Sequence, residues 1–331
     1  GLIDKGAAYD AEDAVYFDVS KAKEYGKLSG KKIEDLLAGA RIRVNEAKQD
    51  PLDFALWKKQ KESAEPSWDS PWGAGRPGWH IECSTMSKAL LGETIDIHAG
   101  GSDLEFPHHE NEIAQTETLT DHPFAHYWMH NEMITVSTAD GSKEKMSKSK
   151  GYFFMLKDIA ESYDLILVRL WLLSAHYRSP INFSRAVMEA TKNGYERLMN
   201  GKHNLERLLA HAVDTEPMEA ETHLLSAVHA QEEAFTKALA DDLNTADALS
   251  AIYEIVRMAN SVLHEGSAKK TVEQVYQKLI ALLDVLGIAD HSAENDVDEE
   301  VERLITEREE ARKAKDFAKA DAIRDALAQK G

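Results

Sequence analysis

The amino-acid sequence predicts an open α/β domain followed by an all-α helical bundle, and three observations support this fold class. Residues 94–98 alternate polar and apolar side chains, as a half-buried strand does. A glycine-containing run at residues 99–103 follows, and a helix is expected after Pro107; strand, glycine turn and helix in this order are typical of ligand-binding α/β sheets. Beyond Ser184 the apolar residues recur at helical spacing. With 331 residues the chain has room for two or three domains.

Composition and charge exclude several classes of protein. The formal net charge of -19 argues against unselective nucleic-acid binding, which needs a surplus of Lys and Arg, but it leaves room for a selective RNA partner. No apolar run reaches the roughly 18 residues that span a bilayer, and no signal peptide opens the chain. We therefore expect a cytoplasmic protein with no membrane partner. A single cysteine, Cys83, cannot form an internal disulfide.

Residues 1–50 predict a small module with mostly solvated faces. Apolar and aromatic residues cluster between turn formers at residues 14–19 and predict a short strand. Residues 33–47 are rich in Lys, Glu and Ala and predict helix.

Residues 51–140 predict the sheet that would carry a site. The segment begins with an aromatic, turn-rich stretch that we expect to pack as a loop before a helix starting near His80. Its tryptophans, each more typical of a core than of a site, are Trp57, Trp68, Trp72 and Trp79. Residues 127–130 and 132–136 are expected to extend the sheet begun by residues 94–98.

Three residue types that zinc accepts as ligands lie close together in the sequence. If His108 opens a helix after Pro107, then His108 and Glu112 are four residues apart and share one face, to which Cys83 could add a thiolate. Sulfur, nitrogen and oxygen donors suit a catalytic zinc site. The plainer alternatives are a buried structural cysteine, solvated histidines, and acids that favour the positive end of the helix.

A second candidate lies in the polar loop with the string KMSKS at residues 145–149. Lysines beside small hydroxyl residues and Gly151 suit a mobile loop that closes over a polyphosphate and neutralises its charge. A solvated basic turn is the alternative.

These motifs resemble the cysteinyl-tRNA synthetase family of the class I aminoacyl-tRNA synthetases, in which KMSKS is the second signature. The resemblance runs from Gly1 to Gly331 through the strings GWHIECSTM, DIHAGGSDLEFPHHENEIAQ, YWMHNEM, EKMSKSKG and SAHYRSPINFS. It implies the second half of a Rossmann-like class I synthetase catalytic core with a small inserted module, followed by an all-α bundle that docks the anticodon arm of a tRNA.

The resemblance divides the chain into five expected regions. They are part of the inserted connective module (1–50), the C-terminal half of the catalytic domain with the zinc site (51–140), the KMSKS loop and stem-contact region (141–188), the helical tRNA-binding bundle (189–288), and an acidic linker with a C-terminal helical hairpin (289–331).

In this family a zinc ion takes a cysteine, a histidine and a glutamate from the stretches matched by Cys83, His108 and Glu112. One more cysteine comes from the N-terminal half of the catalytic fold, but the sequence has no second cysteine and no HIGH signature. The resemblance therefore implies an N-terminally truncated synthetase, one zinc ligand short, that also stops before the family's short C-terminal end. We expect this chain alone not to form cysteinyl adenylate.

Family roles carried onto matching positions give the remaining expectations. Lys148, then Lys145, would contact phosphate in catalysis, with Lys148 binding ATP. Trp79 would line the cysteine pocket and Asp103 would receive the substrate ammonium, unless either is structural.

The glycine run and its neighbours resemble the family's adenosine-side loop, formed here by His98, Gly100 and Gly101. His109 is expected to lie outside the set of metal ligands or to be solvated. The implied substrates are L-cysteine, ATP with Mg²⁺, and tRNA(Cys), and a monomer is one option for the assembly.

The helical half shows three apolar stripes that predict a buried core. They comprise Tyr195, Leu198, Met199, Leu205, Leu208 and Leu209; Leu249, Ile252, Tyr253, Val256 and Val262; and Val272, Val275, Tyr276, Leu279, Leu282, Leu283 and Leu286. Asn244 with Asp247 predicts a helix cap. Residues 289–300 predict an acidic linker, and residues 301–330 a charged helical hairpin.

Two rival functions remain. The related cysteine ligase of mycothiol synthesis shares the zinc pocket and the KMSKS loop but lacks the helical extension that this chain carries. A non-catalytic tRNA-binding module is the other.

Overall fold

The computed structural model describes residues 1–32, 47–137, 143–145, 155–289, 304, 307–308, 311–312 and 316–330. The chain forms two compact units. The first comprises Gly1–Leu156 and Ala175–Val187, and the second comprises Lys157–Ser174 and Met188–Gly331. Across the described residues, every helix is too short or too polar to cross a membrane.

The first unit opens with a four-stranded antiparallel sheet. Its strands, in spatial order, are β1 (Ala8–Asp10), β2 (Ala14–Phe17), β3 (Phe54–Lys59) and β4 (Gly75–Pro77). The expectation of mostly solvated faces fails at β2. All four residues of β2 are buried, because β2 pairs with a strand on each side and Phe17 stacks on Phe54 with ring centroids 5.0 Å apart.

Helix α1 (Trp79–Leu91) begins one residue from the predicted start. Its first turn is pressed against the sheet at Gly78, whose N–H donates to the Leu56 carbonyl at 2.7 Å. A Cβ at Gly78 would lie 1.9 Å from the carbonyl oxygen of Ala55, so only glycine allows this approach.

A parallel strand pair follows, joined through helix α2 (Glu110–Thr120). Strands β5 (Ile95–Gly101) and β6 (Ala125–Asn131) form it, so residues 127–130 extend the sheet as predicted. The predicted glycine turn is wrong in part: Gly100 and Gly101 still belong to β5, because they continue the pairing with β6.

The predicted helix start at His108 is two residues early. His108 and His109 close an irregular turn at Glu105–His109, and the regular helix starts at Glu110.

Residues 132–136 do not extend the first sheet, contrary to the prediction. The strand there is β7 (Ile134–Ser137), which lies in a separate sheet between β8 (Lys143–Lys145) and β9 (Ile181–Phe183). Pairing with both neighbours occupies the two edges of β7.

The rest of the described chain is helical. Its helices are α3 (Leu156–Ala160), α4 (Leu165–Leu173), α5 (Arg185–Ala210), α6 (Glu219–Ala240), α7 (Thr245–Val262), α8 (Lys269–Leu286) and α9 (Phe317–Lys330). The three predicted stripes lie on α5, α7 and α8 and join one apolar core, with Leu198, Ile252 and Leu279 fully buried.

The predicted cap of α7 is confirmed. The side chain of Asn244 accepts a hydrogen bond from the backbone N–H of Asp247 at 3.1 Å. The predicted helical stretch at residues 33–47, except Ala47, and the acidic run from residue 290 lie outside the described residues.

Candidate metal centre

Three side chains from separate positions in the sequence converge in one small volume. Cys83 comes from α1, His108 from the turn before α2, and Glu112 from the first turn of α2. One ligand atom from each lies within 4.8 Å of the others. Atoms bound tetrahedrally to one zinc ion lie roughly 3–4 Å apart, so small side-chain movements would bring these three donors into range.

Glu112 is the centre of this cluster and is completely buried. Its Oε1 lies 2.6 Å from His108 Nε2, and its Oε2 lies 2.7 Å from His98 Nε2. Despite these short distances, neither carboxylate oxygen has a hydrogen bond of acceptable geometry to these imidazoles, and the Cys83 thiol is the remaining donor near the carboxylate. A buried carboxylate without hydrogen bonds is costly, whereas a cation among its neighbours would satisfy it. The donor set therefore fits a zinc ion.

The two other donors differ in protonation state. Burial, then the negative charge of Glu112, raises the pKa of the Cys83 thiol to about 11. Burial lowers the pKa of His108, although Glu112 opposes this shift. The imidazole is thus neutral, as a ligand must be, and binding of a cation would release the proton of the thiol.

Two pairs of histidine rings lie at the cluster and beside it. The Nδ1 atoms of His80 and His108 lie 2.8 Å apart, and His109 Nδ1 lies 2.8 Å from His130 Nε2. Burial lowers the pKa of both His80 and His109 to about 4, so each pair consists of neutral rings, one donating and one accepting. His80 can thereby fix the orientation of His108.

Sequence reasoning missed His80 and His130. His80 lies three residues before Cys83, and His130 is the β-partner of Gly100; helical spacing could have found the first, but only the strand register reveals the second. The solvated alternative for His109 is wrong, because its side chain is buried.

Trp79 lies at the edge of the cluster. Its ring stacks on the His108 imidazole with centroids 4.2 Å apart, and 55% of its surface remains exposed. An aromatic ring in this position is a wall next to the donors rather than part of a core.

Two glycines of β5 allow close contacts that a side chain would block. A Cβ at Gly100 would lie 2.7 Å from His109 Cε1, so this glycine lets the imidazole lie directly against the strand. A Cβ at Gly101 would lie 2.6 Å from an oxygen of Asp103, which is exposed just beyond the strand end.

The predicted phosphate contacts of the loop lysines fall outside the described side chains. The backbone of Lys145 ends β8, and Lys148 lies outside the described residues.

Comparison with known proteins covers most of the chain. A family model for the catalytic domain of class I tRNA synthetases (C) matches residues 1–193, a DALR domain model matches residues 234–290, and a model of the cysteinyl-tRNA ligase anticodon-binding domain matches residues 294–331.

Individual relatives are similar over the full length of this chain. A cysteine–tRNA ligase of Finegoldia magna is 53% identical over 330 residues, which are all of this chain and 69% of the relative. Those of Lachnospira eligens and Clostridioides difficile are 48% and 50% identical, again over 100% of this chain and 70% of each relative.

Proposed function

This chain belongs to the cysteinyl-tRNA synthetase family of class I aminoacyl-tRNA synthetases, and from that premise we propose that Cys83, His108 and Glu112 hold a zinc ion that selects L-cysteine for ligation to tRNA(Cys). The supporting observation is the buried Glu112 carboxylate, which lacks a well-formed hydrogen bond although four other potential ligands, Cys83, His98, His108 and His109, surround it.

The chain's own residues prepare this site for a thiolate substrate. A bound zinc ion would supply a soft Lewis-acid position that favours the sulfur of cysteine over the hydroxyl of serine. His80 holds the His108 ring through its Nδ1, and His98 faces the other oxygen of Glu112 at 2.7 Å. Fixed donors of this kind let the site discriminate at binding, without a separate editing reaction.

The proposed substrate contacts are carried over from the family resemblance. Trp79 forms the wall of the cysteine pocket, and Asp103 receives the substrate ammonium. Gly100 and Gly101 leave room for backbone contact with adenosine. We assign His98 first to a contact with Glu112, because its Nε2 faces the carboxylate. Binding of ATP by His98 is the second assignment.

Activation places the carboxylate of cysteine in line with the α-phosphate of ATP, usually with Mg²⁺ present. Lys148, with Lys145 next, neutralises the charge that develops on the phosphates. The protein contributes mainly positioning and charge, since no protein group becomes covalently modified in this scheme.

The helical unit is proposed to bind tRNA(Cys). The five regions expected from the sequence (1–50, 51–140, 141–188, 189–288 and 289–331) are retained as the proposed domain division. Within it, the DALR match at residues 234–290 and the anticodon-binding match at residues 294–331 support an RNA role for the C-terminal part.

A metal titration tests the zinc proposal directly. Co²⁺, which reports sulfur ligation by a charge-transfer band, should bind the chain at one equivalent and be displaced by Zn²⁺. Cys83→Ser should abolish the band, whereas Glu82→Gln, which changes an exposed carboxylate next to Cys83, should retain it. Equal spectra for the wild type and Cys83→Ser would contradict the site.

Catalysis by this chain alone is tested by cysteine-dependent ATP–pyrophosphate exchange. The sequence contains neither a second cysteine nor a HIGH signature, so we expect no exchange. Filter binding of tRNA(Cys) at low salt beside this assay separates a non-catalytic tRNA-binding module from an active ligase. The matches at residues 234–331 weigh against the mycothiol ligase, whose sequences lack this extension.

A further inference from the structure

The first turn of α2 is buried on more than one side. Glu110, Asn111 and Glu112 are consecutive polar residues, and all three are at most 3% exposed. Successive side chains on an α-helix point about 100° apart, so these three cannot share one environment. Glu112 faces the histidines of the metal centre, and its two neighbours are buried by another part of the chain.

That part is the segment at residues 25–31, called here the clasp loop. The Glu110 carboxylate accepts three hydrogen bonds from it. The donors are the backbone N–H of Gly26 at 2.9 Å, and the backbone N–H and hydroxyl of Ser29, both at 3.0 Å. Hydrogen bonds to a charged acceptor are the stronger kind, and here two of them come from backbone that cannot rotate away.

The clasp loop also holds the residues on either side of Glu110. The hydroxyl of Tyr25 donates to the side-chain carbonyl of Asn111. The ammonium of Lys31 lies 4.4 Å from the centre of the Phe106 ring, and the ring of Tyr25 meets Phe106 edge-on. The loop therefore contacts both the turn that contains His108 and the helix start that contains Glu112.

We propose that Glu110 is a positioning residue, through which the clasp loop sets the placement of His108 and Glu112 for metal binding. The proposal rests on the proposed function, because it needs a metal at these donors. Zinc tolerates deviations of only about 0.2 Å in ligand distance, so a small displacement of this helix start is costly.

A purely structural role makes a different prediction. If Glu110 only anchors the loop, its loss lowers the melting temperature and leaves the metal site of the folded protein unchanged. Groups that orient metal ligands from outside typically contribute 10–100-fold in metal affinity.

The experiment uses the 331-residue chain and Co²⁺ as the probe. Glu110→Gln should weaken Co²⁺ binding by roughly 10–100-fold and shift the visible bands of the bound ion, which report its coordination geometry. Ser29→Ala, which removes one donor, should have a smaller effect in the same direction, and Ser29→Thr, which keeps the hydroxyl, should restore wild-type binding. Should Glu110→Gln fail to fold, the two Ser29 variants still decide the question.

Glu117→Gln is the matched control. Glu117 lies further along α2 and pairs with Lys27 of the same loop, so the variant removes a loop–helix contact away from the donors. It should lower the melting temperature while Co²⁺ affinity stays within about twofold of the wild type. The proposal is overturned if Glu117→Gln weakens binding as much as Glu110→Gln, or if Glu110→Gln and Ser29→Ala leave affinity and spectrum unchanged.

The two proposals fail in distinguishable ways. If Cys83→Ser leaves the Co²⁺ spectrum of the chain unchanged, the zinc site itself is wrong. If Cys83→Ser abolishes the sulfur band but Glu110→Gln has no effect, only the positioning role is wrong.

Discussion

Helices α2 and α7 bury opposite kinds of surface. The buried residues of α7 are Ala248, Leu249, Ala251, Ile252, Ile255, Val256 and Ala259, all apolar. Those of α2 are Glu110, Asn111, Glu112, Ile113, Ala114, Gln115 and Thr116, of which five are polar. Burial of apolar surface stabilises a fold at about 25 cal/mol per Å², whereas burial of polar groups costs free energy unless each is paired.

The buried residues of α7 stabilise the fold, whereas those of α2 surround the proposed metal site. α7 lies in the core that joins the helices of the second unit, and its side chains need only fit. In α2, Glu110 and Asn111 are paired with the clasp loop, but the oxygens of Glu112 remain without hydrogen bonds. A buried polar group without a hydrogen bond needs an explanation, and a bound ion is one such explanation.

The largest effect is expected in α7. Ile252→Ala should lower the free energy of unfolding by about 2–5 kcal/mol, because it leaves a cavity in a fully buried position. Val285→Ala on α8, whose side chain is 61% exposed, should change it by less than about 0.5 kcal/mol. Urea unfolding followed by circular dichroism measures both, and equal losses would remove the contrast between core and surface.

In α2 the corresponding change should act on binding and not on stability. Glu112→Gln should weaken Co²⁺ binding about 100-fold, or roughly 2.8 kcal/mol, since it removes a charged ligand. In the presence of a chelator the variant should be at least as stable as the wild type, because a buried charge without hydrogen bonds is lost. Calorimetry with and without metal tests this, and a destabilised metal-free variant would show that Glu112 supports the fold.

Glu221 on α6 sharpens the comparison, because it is a buried carboxylate within the helical unit that is fully paired. It accepts the N–H groups of Met218 at 2.9 Å and Ala268 at 3.1 Å. Glu221→Gln should cost about 1–3 kcal/mol, since the amide keeps only one acceptor oxygen.

The same residue gives an expected dependence on pH. Burial alone would raise the pKa of Glu221, but hydrogen bonds from Met218, Ser267 and Ala268 hold it below its ordinary value. A lowered folded-state pKa contributes stability above the unfolded pKa of about 4.3, and this contribution is lost as the pH falls further. Unfolding at a series of pH values should show that Glu221→Gln loses less stability on acidification than the wild type. Parallel curves of stability against pH for the two proteins would contradict the assignment.

The smallest effect is expected at the cap of α7. Asn244→Ala should lower stability by about 1 kcal/mol, because the N–H of Asp247 loses its acceptor. Asn244→Gly should cost only a few tenths of a kcal/mol, and thermal unfolding of the pair measures the difference. Identical melting temperatures for the wild type and Asn244→Ala would show that the cap adds nothing.

Prediction from the sequence succeeded where the signal was local. The stripes of α5, α7 and α8 and the Asn244 cap depend on spacing along one helix, so periodicity finds them. Prediction failed where the sheet to which a strand belongs depends on pairing between segments that are distant in the sequence. The separate sheet of β7 depends on β9, which lies more than 40 residues away in the chain.

The candidate site divides in the same way. His108 and Glu112 are one helical turn apart, and their proximity could be expected from spacing. The contacts of His80 and His130, and those between Glu110 and the clasp loop, join segments far apart in the sequence. Their contribution depends on the fold and leaves no spacing pattern.

The close approach at Gly78 has a consequence for the proposed substrate pocket. Trp79 and Cys83 belong to the helix that begins there, and no atom can be inserted between its start and β3. A larger residue at position 78 would push the start of α1, and with it Trp79 and Cys83, away from β3.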